Sequence, residues 1–170
     1  MKIDKNSYGT IALSWLISAA LTLLILKTIG MNTVGYTISV LVLLFSVFVT
    51  WFHRVPVRHT PEGDRIVTSG ADGKVVIIKK VYEKEYLKRE CMQVSVYMDF
   101  FNVHANFWPV TGKVSYYKYH PGRYLLAFLP KAAEENEHSS TAIDTGKEEI
   151  FFKQIAGTFA RRIVCYSQEG

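Results

Sequence analysis

His104 lies in Phe100-Phe101-Asn102-Val103-His104-Ala105-Asn106-Phe107-Trp108-Pro109, where its neighbours are aromatic, apolar or amides. On an extended backbone, Asn102, His104 and Asn106 at i, i+2 and i+4 would share one strand face. That arrangement would be a polar site lined by hydrophobic walls. An imidazole so placed could take up a proton and return it. The competing reading is a core histidine satisfied by its surroundings. Asp72 precedes Gly73 in Ala71-Asp72-Gly73, where a run rich in Val and Ile begins. Taken alone, the pair reads as an Asp-Gly turn. Asn136 and Glu137 stand in Ala133-Glu134-Glu135-Asn136-Glu137-His138, a string most simply read as a solvated loop. His120 and His53 carry no supporting neighbours in sequence and read as structural or interfacial. Cys91 and Cys165 are far apart and lack C-x-x-C spacing, so a disulfide framework or zinc site is not expected and a reducing compartment fits. No metal is expected elsewhere. The chain also lacks G-x-S-x-G, P-loop, G-x-G-x-x-G and H-E-x-x-H motifs.

The elements that must position these residues fall into two unequal parts. The 170 residues are 49% hydrophobic and 21% charged, with a mean hydropathy of +0.09. That is too apolar for a disordered chain and too charged for a wholly embedded one. Of 20 basic and 15 acidic residues, only Lys2, Lys5, Lys27 and Asp4 fall within positions 1–53. Residues 8–26 and 28–52 carry no charge, and each run can supply the roughly 20 helical residues that cross a bilayer. A turn around Gly30 would join them as a hairpin. Lys2 and Lys5 precede it and Arg54 and Arg58 follow it, against Lys27 alone near the turn, so the positive-inside bias puts both ends in the cytoplasm. A cleaved signal peptide is the weaker reading, because no A-x-A-like site separates the runs. The domains expected are a two-helix membrane anchor over 1–53 and a soluble domain over 54–170. The latter would sit on the cytoplasmic face of the cell (inner) membrane.

Beyond Pro56 the texture is β. Lys74–Tyr82 is rich in Val and Ile, and residues 92–98 alternate Met, Val, Val and Met with Gln, Ser and Tyr, the period-2 pattern of a half-buried strand. Lys113–His120, 124–129, Glu149–Ile155 and 161–166 continue the series. Ala71-Asp72-Gly73, Pro109 to Gly112, Pro121-Gly122 and Thr145-Gly146 separate them as turns. Helical periodicity is faint, strongest over 81–89. The fold class expected is therefore mostly β, an antiparallel barrel or sandwich behind a two-helix transmembrane hairpin. A pI near 9.1 with Lys and Arg interspersed among Glu does not make a nucleic-acid surface. It does suit anionic lipid.

In order, the strings Ala71-Asp72-Gly73-Lys74-Val75-Val76, Asn102-Val103-His104-Ala105-Asn106 with Pro109-Val110-Thr111-Gly112, Leu129-Pro130-Lys131-Ala132 with Asn136-Glu137, Gln154-Ile155-Ala156-Gly157 and Ala160-Arg161-Arg162-Ile163-Val164 resemble the short, archaeal-type phosphatidylserine decarboxylases, including those of Bacteroidetes-like bacteria. No one string is specific, and Ala-Asp-Gly-Lys-Val also resembles lipoyl and biotinyl hammerheads. Their order behind a membrane hairpin carries the resemblance, which covers nearly the whole chain.

The resemblance implies removal of CO₂ from phosphatidylserine to give phosphatidylethanolamine, in phospholipid biosynthesis. It implies a lipoyl-hammerhead-like β domain and a pyruvoyl group made by self-cleavage at a Gly-Ser pair. It also implies as partners anionic membrane lipid and the small pyruvoyl-bearing chain of the same precursor; a homo-oligomer stays open. By the same resemblance Asp72 orients the self-cleavage machinery. His104 is base for self-cleavage and proton donor after decarboxylation. Asn102, Asn106, Asn136 and Glu137 support them. Longer bacterial enzymes carry a second His where this chain has Phe107, and the family commonly reads Asn-Glu-Arg where this chain has Asn136-Glu137-His138. No Gly-Ser dipeptide occurs in the 170 residues, so the β domain is expected to be C-terminally incomplete and the chain alone inactive. The alternative is a membrane-anchored, non-enzymatic lipoyl-like β-barrel acting as adaptor or scaffold. It leaves Asn102, His104 and Asn106 among aromatics unexplained.

Overall fold

Long uncharged runs in apolar surroundings must satisfy their own backbone polar groups, and a helix satisfies nearly all of them within one segment. The computed structural model describes residues 1–170 apart from 62, 64, 65, 127, 128 and 130. It contains helices α1 (Tyr8–Thr28) and α2 (Thr33–Phe52), of 21 and 20 residues. At about 1.5 Å per residue each spans about 30 Å, the thickness of a bilayer's hydrocarbon core. The turn between them is tight. Gly30 takes a φ of +95°, the Asn32 side chain accepts a hydrogen bond from the Gly35 amide at 3.0 Å, and a Cβ on Gly35 would collide with the Gly30 carbonyl. Small hydroxyl residues line the seam: Ser18 and Ser46 share a hydrogen bond of 2.7 Å, and Ser46 Oγ donates to the Ser14 carbonyl at 3.0 Å. Small side chains let apolar helices approach closely, while Leu16, Leu23, Leu41 and Phe45 face outward. At the hairpin's open end, β1 (Lys2–Ile3) pairs antiparallel with β2 (Arg54–Val55). The N-terminus and the exit from α2 therefore meet, and Lys2 and Arg54 lie at the same end. The hairpin forms one compact unit, Met1–Thr60 together with Phe100–Asn106.

The second unit, Pro61–Asp99 with Phe107–Gly170, holds the remaining strands. Here β3 (Lys74–Tyr82) and β4 (Glu90–Tyr97) form an antiparallel pair, with a bulge between Val75 and Ile77. Then β5 (Lys113–His120), β6 (His138–Asp144) and β7 (Glu149–Ile155) form an antiparallel sheet in the order 5-6-7. A single helical turn, α3 (Ala132–Glu135), leads into β6. The best-covered side chains lie on this central strand, where Ser140, Thr141, Ala142 and Ile143 are buried.

The antiparallel β texture is as expected, and β3, β5 and β7 have the bounds read from sequence. Among the described residues the strands make three separate sheets and none closes on itself. Four expectations change. Residues 161–166 form no strand, although the Ile163 amide donates to Glu137 Oε1 at 3.1 Å: a side-chain acceptor takes the place of a backbone ladder. Residues 81–89 are not helical: 81 and 82 end β3, and 83–89 form the tip of the β3–β4 hairpin. There the Glu83 carboxylate accepts the amides of Glu85, Tyr86 and Leu87, each at 2.8 Å, and Lys88 takes a positive φ. Residues 133–138 are no solvated loop, since Asn136 and Glu137 are almost wholly buried and His138 begins β6. Of the expected strand at 124–129, residues 127 and 128 lie outside the described set, as does Pro130 of the Leu-Pro-Lys-Ala string. Residues 124–126 are not in a strand.

Candidate active site

The last turn of α2 presents Phe48 and Phe52 one helical turn apart, and the segment 100–106 lies against them within the same unit. Phe100 stacks on Phe48 with ring centres 5.3 Å apart and planes 3° from parallel. The His104 ring packs on Phe52 at 4.2 Å, and its Nδ1 lies 3.1 Å from the Asn102 carbonyl oxygen. A carbonyl only accepts, so this contact favours the tautomer with the proton on Nδ1 and the lone pair on Nε2. Nearby, Arg54 sits 3.4 Å over the Trp51 ring and donates to the Phe101 carbonyl at 2.9 Å. Aromatic rings and an arginine at the end of an apolar helix are what a membrane interface favours. His104 is thus fixed at the level where α2 would leave the bilayer.

The segment is not a strand, which corrects the expectation of one polar face. Val103 is buried, Asn102 and His104 are half-buried, and Asn106 is exposed. Stacking on Phe52, rather than alternation, positions the imidazole. His53 is also held, by Nδ1 at 2.8 Å from the Val49 carbonyl and by an edge contact with Phe52.

In the second unit Asp72 occupies a half-buried turn braced by its neighbours. Gly70 accepts the Phe107 amide at 2.7 Å, and Thr68 donates its amide and hydroxyl to the Pro109 carbonyl at 2.9 and 3.0 Å. Gly73 has φ +153°, and a Cβ there would run into the Tyr97 carbonyl. Only glycine lets β3 start so close to β4 after Asp72. Asn136 accepts the Leu125 amide at 2.9 Å and donates to the carbonyls of Leu125 and Ala156 at 2.9 and 2.8 Å. Glu137 accepts from Tyr124 Oη at 2.7 Å as well as from the Ile163 amide, and this bond raises the Tyr124 pKa. Both residues therefore tie the 123–126, 156 and 163 segments together. Asn102, His104 and Asn106 belong to the first unit, and Asp72, Asn136 and Glu137 to the second.

The family model for phosphatidylserine decarboxylase matches residues 45–170, which spans the exit from α2, His104 and the whole second unit. The chain belongs to the phosphatidylserine decarboxylase family. A protein of Porphyromonas gingivalis named phosphatidylserine decarboxylase proenzyme is 38% identical over 173 aligned positions, covering all of this chain and 78% of that relative. One of the same name from Amoebophilus asiaticus is 38% identical over 172, covering all of this chain and 76% of its own length. Another, from Syntrophus aciditrophicus, is 47% identical over 133, covering 78% of this chain and 62% of its own.

One constellation in this phosphatidylserine decarboxylase-family chain escapes a reading by motif. Glu85 accepts His120 Nε2 at 2.7 Å and Tyr116 Oη at 3.2 Å on Oε1. On Oε2 it accepts Ser140 Oγ at 3.0 Å and Lys153 Nζ at 2.6 Å. Burial pushes its carboxyl up, but Lys153, His120 and Ser140 outweigh that and hold it at about 2. His120 stacks on His138 at 4.3 Å, as cross-strand partners of β5 and β6. The reading of His120 as a residue without supporting neighbours is corrected by these contacts. The signal that links them is the β5–β6 pairing register, which the polar sequence of β6 conceals.

Proposed function

We propose that this protein decarboxylates phosphatidylserine to phosphatidylethanolamine in the manner of its family, as a pyruvoyl-dependent lyase. The observation that carries this is the family match over residues 45–170 combined with an imidazole stacked on Phe52 in the last turn of an apolar helix. A lipid headgroup is reached at that depth without the acyl chains leaving the bilayer. The pyruvoyl group, when present, supplies an electron sink for the breaking carbon–carbon bond. The residues here suit its acid–base surroundings: His104 holds a lone pair on Nε2 and can hold or return a proton there. Asp72 is the second candidate, braced in its turn for an orienting role in self-cleavage. Asn102 fixes the His104 tautomer through its carbonyl, while Asn106, Asn136 and Glu137 act as supports. No Gly-Ser pair occurs in the 170 residues, so none of them is proposed as the pyruvoyl precursor. The small pyruvoyl-bearing chain and anionic lipid are the partners this reading requires.

The same reading carries forward an anchor over 1–53 with the β-rich domain over 54–170 on the cytoplasmic face of the cell membrane. It also carries forward a barrel or sandwich as the family's arrangement of the antiparallel sheets. The test is to co-express this chain with the part of the Porphyromonas gingivalis relative that lies outside the match and to follow CO₂ release from carboxyl-labelled phosphatidylserine. Release that depends on both pieces is expected. A correctly inserted pair that turns over no phosphatidylserine would overturn the assignment. The chain alone is expected to release none, and turnover by it would overturn the need for a serine-derived pyruvoyl group.

A further inference from the structure

The Glu85 cluster lies outside the acid–base residues just assigned and has a composition of its own. Glu85, His120 and His138 each offer a ligand atom, and the three atoms lie within 4.8 Å of one another. They come from three elements, the β3–β4 tip, the end of β5 and the start of β6. His120 and His138 are paired in register across the two strands.

Several details distinguish this set from an ordinary surface ion pair. His138 is buried, and its Nδ1 lies 2.7 Å from the Asn136 carbonyl oxygen. In that contact Nδ1 keeps its proton and donates it to the carbonyl, which leaves the lone pair on Nε2. A metal-ligating histidine is commonly oriented by this kind of bond to a backbone carbonyl. The Glu85 oxygens divide their partners. Oε2 is held by Ser140 and Lys153, as the outer oxygen of a ligating carboxylate usually is, whereas Oε1 faces His120 and Tyr116. Two imidazoles and one carboxylate are a borderline-soft donor set suited to zinc and its neighbours. Metal–ligand bonds of about 2.0–2.2 Å put ligand atoms about 3.3 Å apart in a tetrahedron. His120 Nε2 and Glu85 Oε1, 2.7 Å apart, would open by about half an ångström as Nε2 gives up its proton to the ion. The His138 ring, whose ligand atom lies within 4.8 Å of theirs, would close in. Both are side-chain rotations with no change of strand register.

We propose that Glu85 Oε1, His120 Nε2 and His138 Nε2 form a binding site for a divalent transition-metal ion such as zinc, with water in the fourth position. The bound ion would fasten the β3–β4 tip to the β5–β6 sheet, through groups separated in sequence by tens of residues. The Lys153 ammonium is its built-in competitor. It already neutralises Glu85, and it is a third exposed, so it can swing towards solvent when the ion arrives. This reading does not depend on the decarboxylase chemistry.

The test uses the full chain in detergent, without a histidine tag, and cobalt(II) as the probe. One equivalent of cobalt should give the intense visible absorption of a four-coordinate site, and zinc should quench it by displacement. Single His120→Gln and Glu85→Gln substitutions should weaken cobalt binding by about tenfold or more, with thermal melting in chelator used to show that each variant is folded. If Glu85→Gln fails to fold, His120→Gln alone decides. Lys153→Met should bind cobalt more tightly than the parent, because an opposing charge has been removed; a purely structural ion pair predicts no such gain. The proposal is overturned if cobalt produces no four-coordinate spectrum. It is equally overturned if folded His120→Gln binds as tightly as the parent, or if Lys153→Met does not bind more tightly.

Discussion

His104 is half-buried against Phe52, with one ring nitrogen committed to the Asn102 carbonyl. Stacking on Phe52 and the bond to the Asn102 carbonyl hold the ring in one orientation, and replacing it should remove chemistry more than stability. General acid–base assistance is worth roughly 10²–10⁴-fold in rate. In the two-piece decarboxylase system, His104→Ala should lose phosphatidylserine turnover on that scale while its melting temperature stays close to the parent's. If His104 also serves as base in self-cleavage, the pyruvoyl-supplying piece should accumulate uncleaved, visible as a single longer band on a gel. Turnover and cleavage within a few-fold of the parent would make His104 a core histidine. Its candidacy was legible in sequence, from an ionisable ring among Phe, Val, Ala and Trp. Its mode of support was not, because period-2 spacing suggested a strand. Stacking on a helix some fifty residues upstream leaves no local pattern.

Among the elements, the same contrast separates strands that were read from one that was missed. Both β5 and β7 carry Val, Ile, Tyr or Phe at close intervals, and their bounds follow from that. The central strand β6 is His-Ser-Ser-Thr-Ala-Ile-Asp, polar enough to pass for a loop, yet six of its seven residues are buried. Its hydroxyls find partners that no local pattern reveals: Ser140 donates to Glu85 and Thr141 meets Ser167 at 3.3 Å. Burial of polar groups is tolerated when each is bonded. The β3–β4 tip is joined to this sheet through Glu85, and that joint is pH-sensitive. The Glu85 carboxyl falls from the usual 4.5 to about 2, burial opposing the shift and Lys153, His120 and Ser140 producing it. A depressed carboxyl contributes stability that is complete above its unfolded value and is lost as pH falls through its folded one. The window is therefore from about pH 4.5 down to about 2. At about 1.4 kcal/mol per pKa unit the contribution is roughly 3–4 kcal/mol. Thermal melts in chelator at neutral pH should show Glu85→Gln destabilised by that order, with the gap to the parent closing as pH falls towards 2. A gap that persists at the acid end would show that the loss is one of packing, not charge.

At the scale of the whole molecule, the paired ends of the hairpin carry the topological argument. Because β1 pairs with β2, Lys2 and Arg54 lie at one end of the two helices, while Lys27 in the last turn of α1 is the lone cation near the other. Basic residues within reach of a membrane span are retained on the cytoplasmic side. The count of Lys2, Lys5, Arg54 and Arg58 against Lys27 therefore predicts a hairpin with both ends inside and the Gly30 turn outside. Met31 is well exposed in that turn and is neither the Asn32 cap nor one of the tight glycines, so Met31→Cys leaves the hairpin's hydrogen bonds intact. In whole cells a membrane-impermeant maleimide should label Met31→Cys. Cys91 and Cys165, the two native thiols, both belong to the β-rich unit and should label only after the membrane is opened. Labelling of the parent chain in intact cells, with Met31→Cys adding nothing, would invert the topology. It would also put His104 and the β-rich unit on the outer face.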